Sequence, residues 1–174
     1  MILIFVSHNK EFVWQRRGYH SVESMNHDLI QKWNSVVNKD DTVFHLGDIM
    51  LNDTDRGIEI LKSLNGNIHL IRGNHDTDKK VDLYLQCANV LDVKYADLFK
   101  YNKRKIFYLS HYPTMTGNYD DPKKIWNLSG HIHTEDRFLL KEHLIYNVCV
   151  EAHNGFPINI EEIIQDIRKV IYNG

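Results

Sequence analysis

The amino-acid sequence predicts an α/β fold in which strands and helices alternate along most of the chain. Short apolar runs rich in β-branched residues, such as residues 2–6, are typical of strands that are covered on both faces. Between such runs, apolar residues recur at the spacing of an amphipathic helix. Strand, helix and strand in succession indicate a βαβ unit, while later half-exposed strands indicate a mixed architecture.

The first half of the chain shows this alternation most clearly. Residues 2–6 form the first buried strand, and a helix begins after Ser21, which is available as its N-cap. The apolar positions of this helix are Val22, Met25, Leu29, Ile30, Trp33, Val36 and Val37. Residues 41–46 give a second buried strand, which ends abruptly at Gly47 and Asp48. Asp48 is therefore expected at the carboxyl end of a strand.

The following elements complete the βαβ unit and extend the fold. A weaker helix over residues 55–64 reaches an Asn65-Gly66 turn, and strand 67–71 then leads into a polar loop over residues 72–76. The remaining predicted elements are a short helix over 80–88, a half-exposed strand within 93–101, strands over 105–110, 125–129 and 144–148, and a helix from Asn159 to Ile171.

Composition narrows the classes of protein to consider. The 174 residues are 43% apolar and 25% charged, which suits one domain over residues 1–174. Lys and Arg total 21 against 23 for Asp and Glu, so the net charge of −2 provides no overall attraction for a polynucleotide or an acidic membrane. The early apolar run is too short for a signal peptide or a membrane span, which predicts a cytoplasmic protein. Cys87 and Cys149 are expected to be buried free thiols.

Histidine is unusually frequent in this composition. The 11 histidines are more than packing needs, and they point to metal chemistry. Several polar residues follow the ends of predicted strands, where α/β sheets bind their ligands. These candidate ligands are Asp48, Asn74, His111, His131 and His133. Carboxylate, amide oxygen and imidazole without thiolate form a ligand set suited to Mn, Fe, Zn or Ni.

The order of these motifs resembles that of the calcineurin-like metallophosphoesterase family. The resemblance covers most of the chain and rests on Gly47-Asp48, Gly73-Asn74-His75-Asp76, His111 and Gly130-His131-x-His133. The flanking residues, Trp33-Asn34 and the run over 41–48, are similar to the small bacterial and phage branch of that family.

The resemblance implies a four-layer α-β-β-α sandwich of two mixed sheets, with two divalent metals bound at one edge. It implies that Asp48 bridges both metals, that Asn74, His111 and His131 complete the shell of one, and that His133 serves the other. Two metals lower the pKa of a shared water, and the resulting hydroxide attacks phosphorus. His75 is then expected to protonate the leaving group, with Asp76 as its orienting partner.

One family motif is missing from the sequence. The family has an Asp-x-His motif after the first strand, whereas this strand runs directly into Ser7-His8. His8 is the nearest substitute ligand and His20 is a weaker one. Three explanations stay open: a deletion that weakens or disables the second metal site, residues of the natural molecule that this sequence lacks, or replacement ligands from a rearranged loop.

The leading hypothesis is therefore metal-dependent hydrolysis of a phosphomonoester or phosphodiester, with a small phosphate ester or nucleotide as substrate. The alternative is a catalytically impaired protein of the same fold that binds phosphate, a nucleotide or a partner. The charge balance disfavours a nuclease acting on polynucleotides. Two further interpretations stay open: His45 either orients a ligand or is a core histidine, and Arg16 or Arg17 either lies at the surface or reaches a substrate phosphate.

Overall fold

The computed structural model describes residues 2–4, 11–50, 53–103, 105–116, 125–140 and 144–172. Its helices are α1 (Glu11–Arg16), α2 (Val22–Val36), α3 (Thr54–Ser63), α4 (Asp78–Tyr84) and α5 (Ile160–Tyr172). Its strands are β1 (Ile2–Ile4), β2 (Thr42–His45), β3 (Asn67–Ile71), β4 (Val90–Lys94), β5 (Ala96–Lys100), β6 (Ile106–Ser110), β7 (Trp126–Ser129), β8 (Phe138–Leu140), β9 (Ile145–Asn147) and β10 (Ile158–Asn159). A 3₁₀ turn spans Val150–His153.

The described strands form two five-stranded mixed sheets. The first sheet has the order β10-β1-β2-β3-β4, with β1 to β4 parallel and β10 antiparallel to β1. The second has the order β5-β6-β7-β9-β8, with β6, β7 and β9 parallel and the two edge strands antiparallel. The predicted α/β class with two mixed sheets is confirmed.

Two apolar clusters build the layers. On one face of the first sheet, α2, α3 and α4 bury Trp33, Leu61 and Tyr84 against the strand residues Val43 and Leu70. The other face packs on the second sheet, and α5 joins this core. The residues of this second cluster include Phe44 and Ile71 from the first sheet, Leu46 directly after β2, Phe107, Leu109, Leu128 and Tyr146 from the second sheet, and Ile160, Ile163, Ile164 and Ile167 from α5. Burial of these side chains holds the two sheets face to face.

Helix α2 begins and ends as its sequence predicts. Ser21 is the N-cap, and it exchanges hydrogen bonds with Ser24: each backbone N–H donates to the other's hydroxyl. At the other end, the indole of Trp33 donates to the Asn65 carbonyl at 2.9 Å, and the Asn34 side chain accepts from the Asn65 N–H. The Trp33-Asn34 pair therefore ties α2 to the turn that precedes β3.

One predicted strand was wrong in its extent. The pattern over residues 93–101 suggested a single half-exposed strand, but the chain leaves the first sheet after β4 and enters the second with β5. The two strands meet at Tyr95, and both are edge strands, so the same alternation of exposed and half-buried residues continues across the change of sheet. Helix α1 and the short strands β8 and β10 were not predicted, because they are too short to show a periodicity.

Both cysteines are buried free thiols, as predicted. Across the part of the chain that the structure describes, every helix is too short or too polar to cross a membrane.

Candidate metal centre

Loops that follow parallel strands of both sheets carry the predicted ligands. Asp48 follows β2 and Asn74 follows β3, which are neighbours in the first sheet. His111 follows β6 and His131 follows β7, which are neighbours in the second. The structure brings these four side chains together, and we call them the His111 cluster.

The ligand atoms of this cluster converge on one ring nitrogen. The Nε2 of His111 lies 2.9 Å from Asn74 Oδ1, 3.1 Å from His131 Nδ1 and 3.4 Å from Asp48 Oδ2. One ligand atom each from Asp48, His111 and His131 lies within 4.8 Å of the others. The side chains of Asp48 and His111 are only 2% and 1% exposed, whereas Asn74 is exposed at the rim.

The chemistry of the donor set fits a divalent metal. The Nδ1 of His111 lies 2.7 Å from the Leu46 carbonyl oxygen, which only accepts hydrogen bonds. In the neutral ring Nδ1 therefore carries the proton, and Nε2 presents its lone pair to the cluster. Because Asn74 Oδ1 and Asp48 Oδ2 are also acceptors, a cation among them satisfies all three at once.

The electrostatics of the cluster agree with this assignment. Burial favours a higher pKa for Asp48, but hydrogen bonds from His111 and from the backbone N–H of His75 outweigh burial and hold this pKa below its usual value. Burial, followed by the neighbouring His111, lowers the pKa of His131. Asp48 is therefore ionised and His131 is neutral near pH 7, which are the forms that bind metals.

The pKa of His111 shifts in the opposite direction from that of His131. Burial favours a lower pKa for its ring, but the hydrogen bonds to the Asp48 carboxylate and the Leu46 carbonyl outweigh burial and raise it. The same acceptors that suit a metal thus favour a proton on this ring when no metal is bound, so metal and proton compete for His111.

The backbone around the cluster is tightly constrained. Asp48, His131 and His133 have φ values of 55°, 72° and 51°, in the left-handed region that costs each residue about 1 kcal/mol. Gly47 has φ 95°, and a Cβ there would lie 2.6 Å from the Gly73 nitrogen and 2.8 Å from His111 Nδ1. The strained and crowded positions coincide with the ligand loops, as expected of a site that the surrounding packing holds in place.

Asp76 lies beneath the cluster and joins its loops. It is completely buried, and its Oδ2 accepts hydrogen bonds from the backbone N–H groups of Asp48 at 2.7 Å and Gly73 at 2.8 Å. Its Oδ1 accepts from the Tyr84 hydroxyl at 2.8 Å. The Asp48 carboxylate in turn accepts from the His75 N–H through Oδ1, which leaves Oδ2 to face His111. Asp76 therefore fixes the two loops that carry the ligands of the first sheet.

His133 has different neighbours from the other predicted ligands. Its Nδ1 lies 2.8 Å from Glu151 Oε1, and Arg17 forms a 2.7 Å ion pair with the same oxygen. We call these three residues the Glu151 triad. Among the described residues, His133 does not join the group of ligand atoms around His111, although its proximity contributes to the lowered pKa of His131.

Comparison with known proteins identifies the family. The model of the calcineurin-like phosphoesterase family matches residues 14–171. The chain belongs to this family. It is 35% identical over 164 residues to an uncharacterized protein of Methanocaldococcus jannaschii, an alignment that covers 88% of this chain and 81% of that protein. The family generally uses divalent metals, in agreement with the candidate site of Asp48, His111 and His131.

Two solved structures share the fold of this phosphoesterase family member. A protein of unknown function from Aquifex aeolicus has a TM-score of 0.70 and 23% identity, covering 95% of this chain and 97% of that one. An archaeal phosphodiesterase has a TM-score of 0.52 and 16% identity, covering 86% and 84% of the two chains.

The remaining predicted site residues have different positions. His75 is half-buried next to Asn74, and it contributes to the lowered pKa of Asp48. His8 lies outside the described residues, and His20 is exposed and does not join the His111 cluster. His45 is a buried core residue whose pKa is lowered to about 3 by burial. Its Nδ1 accepts from the Gly47 N–H at 3.2 Å, so it also supports the turn before Asp48.

Sequence reasoning missed Glu151 and did not assign Arg17 its observed partner. Arg17 was expected at the surface or near a substrate phosphate, but its side chain is 8% exposed and bonded to Glu151. The available signal was the position of Glu151 directly after the largely apolar segment over residues 144–150. The run ends like the other ligand-bearing strands, in a polar residue, but Glu151 belongs to no motif of the resemblance.

Proposed function

We propose that this member of the calcineurin-like phosphoesterase family hydrolyses a phosphomonoester or phosphodiester of a small molecule or nucleotide, using bound divalent metal. The observation that carries the proposal is the convergence of Asn74 Oδ1, Asp48 Oδ2 and His131 Nδ1 on the Nε2 lone pair of His111. A buried cluster of acceptors is costly without a cation, and the family's chemistry needs a cation at such a position.

The His111 cluster would hold one metal, and Mn, Fe, Ni and Zn all suit its oxygen and nitrogen atoms. When bound, the metal supplies positive charge for the phosphoryl oxygens and lowers the pKa of water so that hydroxide is available near neutral pH. Asp48 is the residue that would also contact a second metal, with His133 as a further ligand. The sequence departs from the family here, because the Asp-x-His motif that would complete the second shell is absent.

His75 is proposed to act on the leaving group. Hydrolysis adds the elements of water across a P–O bond, and the departing oxygen needs a proton as that bond breaks. An imidazole supplies this proton efficiently because its ordinary pKa lies near neutral pH. The backbone of His75 is fixed on both sides: its N–H donates to Asp48 Oδ1, and its carbonyl accepts from Lys80 Nζ at 2.9 Å. The ring is therefore carried on a rigid turn beside the cluster.

Asp76 is proposed as a positioning residue. The sequence suggested that it orients His75, and its hydrogen bonds to the Asp48 and Gly73 backbones support an action through the loops. By holding the turn that contains Asn74 and His75 against the Asp48 turn, it sets the distance between proton donor and ligands.

A second candidate is a protein of this fold that binds a phosphate-containing ligand without turning it over. The observation in its favour is that the family match begins at residue 14, after the position where the Asp-x-His motif would stand. A single metal would still attract phosphate, but it would lack the two-metal clamp on the attacking and leaving oxygens.

The test uses the full chain loaded with Mn²⁺ and two chromogenic substrates, p-nitrophenyl phosphate and bis(p-nitrophenyl) phosphate. The proposal expects hydrolysis of at least one substrate, loss of activity in EDTA, and recovery on adding Mn²⁺. Asp166→Asn is the matched control for Asp48→Asn, because Asp166 is a half-buried carboxylate that pairs with Arg137 outside the site. Metal binding without any hydrolysis would favour the second candidate, and no metal binding would contradict both.

A further inference from the structure

The Glu151 carboxylate is bonded asymmetrically. Its Oε1 accepts three hydrogen bonds, from Arg17 Nε at 2.9 Å, Arg17 Nη2 at 2.7 Å and His133 Nδ1 at 2.8 Å. Its Oε2 is buried and accepts none from the described residues. Buried carboxylate oxygens are normally hydrogen-bonded. In Glu151, all three of these hydrogen bonds are made by the one oxygen that contacts His133.

Simple stabilisation is a weak explanation for the pair of Arg17 and Glu151. The two side chains are 8% and 14% exposed, so both charges are largely removed from water. The cost of this desolvation commonly equals or exceeds the attraction between the charges, and apolar residues of similar size are often as stable. The third member of the triad, His133, suggests what the pair does.

The hydrogen bond to Glu151 determines which nitrogen of His133 carries the proton. A carboxylate only accepts, so Nδ1 donates to Oε1 and, in the neutral ring, Nε2 is left with a lone pair. Arg17 Nη2, which can only donate, lies 3.5 Å from the same Nδ1, whereas Glu151 Oε1, which only accepts, lies 2.8 Å from it, and the shorter contact decides the role of Nδ1. Both donors share the one oxygen.

We propose that Glu151, held in place by Arg17, is the positioning residue that fixes His133 with Nδ1 protonated and Nε2 presented as a metal ligand. Carboxylates that accept from the far nitrogen of a ligating histidine fix its orientation and increase its basicity. His111 is arranged in the same way, with the Leu46 carbonyl in place of the carboxylate. The metal-presenting part of this inference rests on the proposed function, whereas the protonation pattern does not.

The first measurement is the tautomer of His133 in the metal-free protein. A two-bond ¹H–¹⁵N correlation spectrum distinguishes Nδ1–H from Nε2–H, and the variant His133→Gln identifies the signal. We expect Nδ1–H in the wild type. Because Glu151→Leu alone leaves a buried Arg17 without its partner, the double variant Arg17→Met/Glu151→Leu provides an apolar replacement that is expected to fold. In it, His133 should lose the single Nδ1–H pattern.

The second measurement is the response of His133 to Zn²⁺, followed by the same spectra. In the wild type, Zn²⁺ should shift the Nε2 signal of His133, and the double variant should need about 10- to 100-fold more Zn²⁺ for that shift. Asp166→Asn is the matched control, since Asp166 also accepts from an arginine and a ring hydroxyl, those of Arg137 and Tyr146. It should leave the His133 signals and their Zn²⁺ dependence unchanged.

The possible results separate clearly. An Nε2–H tautomer in the wild type, or an unchanged tautomer in the double variant, would overturn the inference. A Zn²⁺ response at His131 with none at His133 would also overturn it, because His133 would then present no ligand. If the tautomer and the Zn²⁺ response follow expectation while no phosphoester is hydrolysed, the positioning role stands and the proposed enzymatic function fails.

Discussion

The His111 cluster and the Glu151 triad each hold a histidine that is proposed to bind metal, but they hold it in different ways. In the cluster, four candidate ligands from both sheets converge, and the Leu46 carbonyl and the Asp76 carboxylate fix their geometry. In the triad, one candidate ligand is held by a buried ion pair, and the Asp-x-His motif of the family is absent from the sequence. The His111 cluster therefore has both its candidate ligands and the groups that position them. The Glu151 triad has mainly the groups that position a ligand.

The two halves of the proposed binuclear site would therefore depend on different parts of the chain. The cluster depends on loops after β2, β3, β6 and β7, which lie in the interior of their sheets. The second half would also depend on the residues that follow β1 in the sequence, where the Asp-x-His motif is missing. A change confined to those residues would weaken one proposed metal position and leave the other intact.

The largest expected effect comes from Asp48, and it tests whether the two regions are unequal. Asp48→Asn removes the charge that the proposed metal of the His111 cluster needs, so turnover of a chromogenic phosphoester should fall to the background rate. His133→Gln should reduce turnover less, because the cluster keeps all its ligands. Equal losses, measured as kcat/KM under Mn²⁺ saturation, would show that the second region is as important as the first.

The next effect separates metal binding from proton donation. His75→Ala should lower kcat by about 10²- to 10⁴-fold, because the leaving oxygen loses its proton donor. The amount of Mn²⁺ bound per chain should not change, because His75 donates to Asp48 through its backbone N–H, which the substitution keeps. Loss of bound metal in this variant would instead make His75 a ligand. Activity equal to that of the wild type would remove it from the mechanism.

Asp76 tests how the His111 cluster is supported. Asp76→Asn replaces a buried acceptor of three hydrogen bonds with a group that also carries donors, so one or more donors lose their partner. The free energy of unfolding in urea should fall by about 3 kcal/mol. Asp166→Asn, at a carboxylate outside the cluster, should cost less because its side chain is partly exposed. A stability equal to that of the wild type would contradict the supporting role of Asp76.

The smallest effect concerns the 3₁₀ turn that carries Glu151. Burial lowers the pKa of His153, on the same turn, to about 4 from the ordinary 6.5. As pH falls below about 6.5 the unfolded chain takes up this proton first, so stability is lost progressively down to about pH 4. His153→Gln should make this loss smaller by about 2 kcal/mol. Identical slopes in urea unfolding between pH 7 and 4.5 would show that His153 does not contribute.

Much of the fold and the residues of the His111 cluster were predictable from the sequence. Long apolar periodicity located α2, and the polar residues after β2, β3, β6 and β7 located Asp48, Asn74, His111 and His131. Their convergence could be expected because parallel strands end at a common edge. The change of sheet at Tyr95 was hidden, since two edge strands share one pattern of alternation.

The Glu151 triad could not be predicted for a different reason. Arg17 and Glu151 are 134 residues apart, and neither stands in a motif of the resemblance. Their pairing joins the residue that follows α1 to the 3₁₀ turn, and this long-range contact has no local signature in the sequence. Positioning residues act through ligands, so motif comparison finds the ligand and leaves its support unrecognised.

The amount of Mn²⁺ that remains bound per chain after loading and exhaustive dialysis, compared between the wild type and His111→Ala, tests directly whether the His111 cluster binds metal. The His111 cluster predicts at least one equivalent in the wild type and one equivalent fewer in the variant. No retained Mn²⁺ in the wild type, or the same amount in both proteins, would contradict a metal site centred on His111.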